Sequence, residues 1–301
     1  MGKGDKPRVG VIGLGSMGLG VARSLLRAGF EVHACDVRAQ VVEGFAGEGG
    51  VAAGSPAEVG ARAEIVVVLV VNAEQTDQVL FGSGGATETL ARGSVVIASA
   101  TVAPEYAVGL GERLKALGVL ALDAPVSGGA AKAATGELSI MASGTPAAFD
   151  KAKPVLDAIA AKVYRLGNSP GMGSKVKMVN QLLAGVHIAA AAEAIALGIR
   201  AGADPNVVYE VICNSAGSSW MFQNRVPHIL TGDYTPLSAV NIFVKDLGIV
   251  LESAKKGSFP LPLTAAAHQM FMMAAAAGHG LEDDAAVVKI FPGIELPKPK
   301  G

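Results

Sequence analysis

One stretch near the start of the chain constrains the fold more than any other: "RVGVIGLGSMGLGVARSLLRAGFEVHACD", Arg8 to Asp36. "VGVI" is a short, apolar, partly β-branched run, as expected of a strand buried on both faces. Gly13, Gly15 and Gly18 follow as G-x-G-x-x-G. The next residues carry apolar side chains at helical spacing up to Gly29, which reads as a C-cap. "EVHACD" is a second strand, closed by Asp36. Gly13 permits a tight turn, Gly15 lets backbone approach a pyrophosphate, and Gly18 allows close helix–strand packing with the helix N-terminus facing the anion. Leu14, Ser16 and Met17 complete that loop. Asp36 lies about 20 residues on, where a carboxylate accepts hydrogen bonds from an adenosine ribose. The order of these elements predicts a dinucleotide site. Asp36 favours NAD over NADP, because a carboxylate repels a 2′-phosphate; Arg38 is the one residue there suited to meet such a phosphate.

The chain has 301 residues, half of them hydrophobic, and a formal net charge of -1. It is long enough to bury a large core, and no global field favours nucleic acid or an acidic surface. Its polar beginning lacks the apolar region of a signal peptide. Cys35 and Cys213 form no disulfide framework or zinc spacing and read as small core residues. The expectation is a cytoplasmic protein with no membrane or nucleic-acid partner.

Glu64–Val71, Ser94–Thr101 and Val119–Pro125 read as further buried strands. Helical patterns fall between them, near Pro56–Arg62, Ala73–Leu80 and Pro104–Leu117, and "LSIMAS" and "KVYRL" read as final strands. Alternating strands and helices predict an α/β fold, a Rossmann doubly wound parallel sheet. Ligands of such sheets sit at the C-terminal ends of strands, which places Val70, Val71, Asn72 and Thr101 near the cofactor. It also places "APVSGGAAK" near the reactants. Ser127 with Gly128 and Gly129 reads either as a simple turn or as a loop that holds a substrate carboxylate.

After "YRLGNSPGMG" the pattern becomes helical and alanine-rich. The expected division is a dinucleotide-binding domain over 1–168 and an all-α domain over 169–301, built on a helix of about thirty residues from Ser174. Lys177, Asn180 and Gln181 can share one face of that helix. Its first turns should border an inter-domain cleft, where a lysine has chemical use. Lys245 and Asp246, on a later helix, read by themselves as an ordinary exposed pair. No Ser–His–Asp or metal-ligand constellation emerges.

"GLGSMGLGVARSL", "DAPVSGGAAKAATGELSIMASG", "GMGSKVKMVNQ" and "FVKDLGIV" together resemble the β-hydroxyacid dehydrogenase family, and the resemblance runs from about Arg8 to Pro292. It implies NAD-dependent hydride transfer on a small hydroxy acid. The acid's carboxylate would rest on Ser127, Gly128 and Gly129, Lys177 would be the acid/base, Asn180 and Gln181 would position the substrate, and Lys245 would reach the cofactor. "QLLAGVHIAAAAEA", "SSWMFQNR" and "GDYTPLSAVNIFVKDLG" are most similar to the L-threonate dehydrogenase subgroup. That similarity implies oxidation of L-threonate to 2-dehydro-L-erythronate. The alternatives are 3-hydroxyisobutyrate dehydrogenase or tartronate semialdehyde reductase activity, and outside catalysis a non-catalytic NAD-binding module. The chain departs from the family with Gln181 in place of a second asparagine, Val71 in place of a proline, and "ASAT" ending in Thr101. As a base, Lys177 must be neutral, although lysine ordinarily titrates near 10.4; burial and a bound nicotinamide cation would both favour the neutral form. A homodimer or homotetramer is expected.

Overall fold

The computed structural model describes residues 6–298. They form two compact units, one ending at Lys177 and the other beginning at Met178.

The first unit alternates strand and helix: β1 (Val9–Ile12), α1 (Gly18–Arg27), β2 (Val32–Cys35), α2 (Ala39–Gly47), β3 (Val51–Ala52), α3 (Pro56–Arg62), β4 (Ile65–Val68), α4 (Ala73–Phe81), β5 (Val95–Ala98), α5 (Pro104–Ala116) and β6 (Leu120–Asp123). It continues with β7 (Val126–Ser127), α6 (Gly129–Thr135), β8 (Leu138–Gly144), α7 (Pro146–Ile159) and β9 (Ala160–Gly167). The sheet order is β3-β2-β1-β4-β5-β6-β8-β7, with β9 beside β8. The six strands β1 to β6 run parallel, as the alternating pattern predicts. Beyond β6 the sheet turns mixed: β8 is antiparallel to β6 and β7, and β9 is parallel to β8. β1 and β4 are buried at every position, which is why their sequences run apolar without alternation. Helix starts follow local chemistry: Ser55 and Thr145 accept from the amides of Glu58 and Ala148, each followed by a proline in the first turn.

The strands are shorter than the apolar runs. β4 stops at Val68 and β5 at Ala98, so Val70, Val71, Asn72 and Thr101 lie in loops beyond their strand ends. Helices α2, α6 and α7 have no counterpart in the pattern reading. One tight seam joins α1 to α6. A Cβ on Gly20 would stand 2.8 Å from the Ala134 amide nitrogen. Ser24 Oγ donates to the Ala133 carbonyl at 2.9 Å.

Helix α8 (Met172–Arg200) begins in the first unit and runs into the second, which also holds α9 (Pro205–Cys213), α10 (Trp220–Thr231), α11 (Val240–Lys256) and α12 (Pro262–Ala274). Its core gathers Ile188, Ala192 and Ile195 of α8, Val226 and Ile229 of α10, Phe243 and Leu247 of α11 and Phe271 of α12. On the other side of α8, Val179, Leu183 and Leu197 are exposed. By length and composition alone α8 would also suit a bilayer, but a core helix passes the same test.

Candidate active site

The glycine loop between β1 and α1 is shaped by its own backbone. Gly13 has φ of 92°, and a Cβ there would stand 2.6 Å from the Leu69 carbonyl oxygen. A Cβ on Gly18 would stand 1.9 Å from the Gly13 carbonyl oxygen. At Gly15, by contrast, an added Cβ would meet no described atom within 4 Å. No side chain caps α1 at Met17, and its first turn holds no acid, so neither occupies the amides of that N-terminus. Bare backbone and an uncapped helix start fit a pyrophosphate.

Asp36 follows β2 with its side chain 8% exposed. Its Oδ2 accepts the Leu14 amide at 2.7 Å. Its Oδ1 accepts the Arg38 amide at 3.0 Å and Arg38 Nε at 2.8 Å. Arg38 Nη2 also reaches the Leu14 carbonyl at 3.0 Å. Burial pushes the Asp36 carboxyl upward, but the hydrogen bonds from Arg38 and Leu14 prevail and hold it below the ordinary carboxylate value. Arg38 is therefore committed to Asp36 and the loop, which bears on its suitability for a 2′-phosphate. Cys35 beneath this site is buried, as expected, and desolvation pushes its thiol up to about 12.

Of the other loop residues, Asn72 caps α4 by accepting from the Gln75 amide at 2.8 Å. Val71 is half-exposed, and its amide donates to Gln75 Oε1 at 2.9 Å. Val70 packs partly buried beside Val102 and Ala107, and Thr101 is partly buried in the loop before α5. These placements give Asn72 a structural task that sequence reasoning did not assign.

Ser127 ends β7, opposite Ser139 of β8. Gly128 and Gly129 follow with φ of 132° and 69°, a pair of conformations that only glycine adopts cheaply. Lys177 is 7% exposed, and its Nζ donates to the Val126 carbonyl at 2.8 Å. The first unit thus sets the lysine against the residue that precedes Ser127. A solvated surface lysine is excluded by that burial.

What holds Lys177 there was not evident from sequence. Asp123, at the end of β6, is buried and accepts four hydrogen bonds. They come from the Gly171 and Ser174 amides, each at 2.9 Å, Ser174 Oγ at 2.6 Å and Ser143 Oγ at 3.1 Å. Ser143 Oγ in turn accepts the Gly173 amide at 2.9 Å. These amides belong to the start of α8, where helical partners are missing. Two strands of the sheet thereby cap the helix that carries Lys177. The signal available in sequence was one acid inside the otherwise apolar "VLALDAP".

In the second unit Asp246 is 2% exposed, which corrects the reading of Lys245–Asp246 as an exposed pair. Asp246 Oδ2 accepts Gln181 Nε2 at 2.5 Å. Lys245 Nζ lies 2.8 Å from Oδ1, although that oxygen lacks an aligned hydrogen bond. The lysine thus pairs by charge with a buried carboxylate. Asn180 Nδ2 donates to Gln181 Oε1 at 3.0 Å. No group of three or more metal-ligating side chains occurs among the described residues.

Residues 8–167 match the NAD binding domain of 6-phosphogluconate dehydrogenase, and residues 171–291 match the NAD-binding domain of NADP-dependent 3-hydroxyisobutyrate dehydrogenase. The chain belongs to the β-hydroxyacid dehydrogenase family. It is 67% identical to the L-threonate dehydrogenase of Cupriavidus necator over 96% of this chain and 97% of that protein. It is 51% identical to the L-threonate dehydrogenase of Escherichia coli strain K12 over 99% of each. A crystal structure of 3-hydroxyisobutyrate dehydrogenase from Salmonella typhimurium superposes with a TM-score of 0.91 at 53% identity, covering 95% of this chain and all of that one. The protein is an NAD-dependent hydroxyacid dehydrogenase with a Rossmann domain and a helical C-terminal domain.

Proposed function

We propose that the protein oxidises L-threonate with NAD to 2-dehydro-L-erythronate, using Lys177 as the proton acceptor. The observation that carries this reading is the buried Lys177 Nζ held 2.8 Å from the Val126 carbonyl, beside the Ser127–Gly128–Gly129 turn. The similarity to L-threonate dehydrogenases over nearly the whole chain supports the choice of acid. Ser127 and the amides of Gly128 and Gly129 bind the substrate carboxylate. Lys177, neutral before the step, takes the hydroxyl proton. NAD, held by the glycine loop and Asp36, would supply the hydride acceptor for the same carbon. In reverse, the lysine ammonium returns the proton to the nascent alkoxide. The glycine loop residues Gly13 to Gly18 hold the pyrophosphate and Asp36 the ribose, with Val70, Val71, Asn72 and Thr101 lining the cofactor site. Lys245 serves the cofactor, and Asn180 the substrate.

The test is kcat/KM on L-threonate beside D-glycerate, 3-hydroxyisobutyrate and tartronate semialdehyde, with NAD and NADP. L-threonate with NAD is expected to lead. Preference for another acid replaces the substrate, and absence of turnover on all of them overturns the reading. Alanine at position 177 is expected to cost about 100-fold or more in kcat, the scale of a lost general base.

The working form is a homo-oligomer in the cytoplasm. Val179, Leu183 and Leu197 leave an apolar strip of α8 uncovered in the single chain. Light scattering of the purified protein checks the oligomer, and a monomer at micromolar concentration refutes it.

A further inference from the structure

Asn180, Gln181 and Asp246 form a directed chain of hydrogen bonds inside the second unit. A carboxylate oxygen accepts and does not donate, so Asp246 Oδ2 requires the Nε2 end of Gln181, which it meets at 2.5 Å. That choice turns Gln181 Oε1 toward Asn180, whose Nδ2 donates to it at 3.0 Å. The orientation of two amides therefore follows from one acid. Gln181 is 8% exposed and Asp246 2%, so the bond between them is shielded from water, while the Asn180–Gln181 bond is partly buried. With one amino hydrogen given to Gln181, Asn180 has its acceptor Oδ1 on the other arm of its amide.

We propose that Asp246 is a positioning residue which, through Gln181, makes Asn180 present Oδ1 to the substrate, so that the enzyme favours acids bearing a hydroxyl donor at that point over their deoxy analogues. The proposal rests on the functional reading above, in which Asn180 lies one helical turn from Lys177 on α8 and touches the substrate. Gln181 is on this account an intermediary and not a substrate contact. A site that hydrogen-bonds a hydroxyl rejects the analogue without it, because its own polar atom is then left unpaired.

The experiment measures kcat/KM for L-threonate and for its 3-deoxy and 4-deoxy analogues (2,4- and 2,3-dihydroxybutyrate), together with KM for NAD. The wild-type protein is expected to prefer L-threonate over one of these analogues by about tenfold or more, and Asn180→Ala to abolish that preference. In Asp246→Asn both orientations of the Gln181 amide become possible. L-threonate is then expected to lose about tenfold while that analogue changes by less than about twofold, the pattern of one lost hydrogen bond. Gln181→Glu combined with Asp246→Asn restores the direction: the new carboxylate accepts from both neighbouring amides and again faces the amino end of Asn180. This double variant is expected to recover the wild-type ratio within about threefold. It also carries the test should Asp246→Asn alone not fold.

Equal losses on all three acids, or no loss, would reduce Asp246 to a packing role and overturn the proposal. So would a double variant with the ratio of Asn180→Ala. A wild-type protein that turns over no hydroxy acid overturns the functional reading and this proposal with it. Wild-type turnover without discrimination overturns the proposal alone.

Discussion

Asp123 is the residue whose removal has the largest consequence that geometry can put a figure on. Asp123→Ala deletes one acceptor and strands four donors: the amides of Gly171 and Ser174, and the hydroxyls of Ser174 and Ser143. The hydroxyls rotate and find other acceptors, so the two buried amides dominate. A buried donor left without a partner costs about 1–3 kcal/mol. Two of them, less what water recovers, give a loss of about 2–5 kcal/mol in the first unit. Asp123→Asn keeps one acceptor oxygen and is expected to lose about half as much. Trp220 lies in the second unit, so its fluorescence is the wrong probe. Urea denaturation followed by circular dichroism, with amide exchange at Gly171, Gly173 and Ser174, reads the right place. Because the same cap seats the first turn of α8, kcat is expected to fall about 100-fold in the folded fraction, the cost of misplacing Lys177 by roughly 1 Å. A loss below about 1 kcal/mol, or unchanged protection of those three amides, would refute the reasoning.

Three further outcomes are expected. Asp36→Ala removes the carboxylate that repels a 2′-phosphate and releases Arg38, so the NADP-to-NAD ratio of kcat/KM rises, about tenfold or more. An unchanged ratio places the selection elsewhere. Since the folded Asp36 titrates below its ordinary value, its contribution to NAD affinity is constant from neutral pH down to the ordinary carboxylate range and disappears only as pH falls through the lowered value; a Kd that weakens already between pH 8 and 6 contradicts this for Asp36. For Lys177, the oxidation rate rises with pH as the amine loses its proton and the reverse reduction falls, and a flat profile in both directions excludes it as the base. Cys35, with its thiol pushed up to about 12, is expected to resist alkylation at pH 8 in the folded protein and to react once unfolded; rapid labelling of native protein would show that its burial is wrong.

Much of the first unit was legible because its signals are local. The glycine triplet, the apolar β1 and β4 and the acid closing β2 each declare themselves within a few residues. The mixed edge of the sheet was not legible, since the direction of β8 depends on which strand it meets in space. Helices α2 and α6 were missed because such short segments carry little periodic signal, whereas α7 buries Ala148, Phe149, Ala152, Val155, Leu156 and Ile159 at helical spacing and its pattern was there to be read. At the candidate site, Lys177 and the Ser127 turn were reached by position and resemblance. Asp123 and Asp246 were not, for one reason: each acts on residues 20 to 65 positions away, and nothing in the flanking sequence reveals such a partner. Asp246 misled because a Lys–Asp neighbour pair on a helix ordinarily faces water.

The seam between α1 and α6 has a mechanical result. The glycine loop opens into α1 and the Ser127 turn opens into α6, and at Gly20 the two helices come so close that a Cβ would meet the Ala133 and Ala134 backbone and the Ala133 methyl. A side chain at Gly20 would push α1 away from α6, and so disturb the glycine loop and the Ser127 turn together.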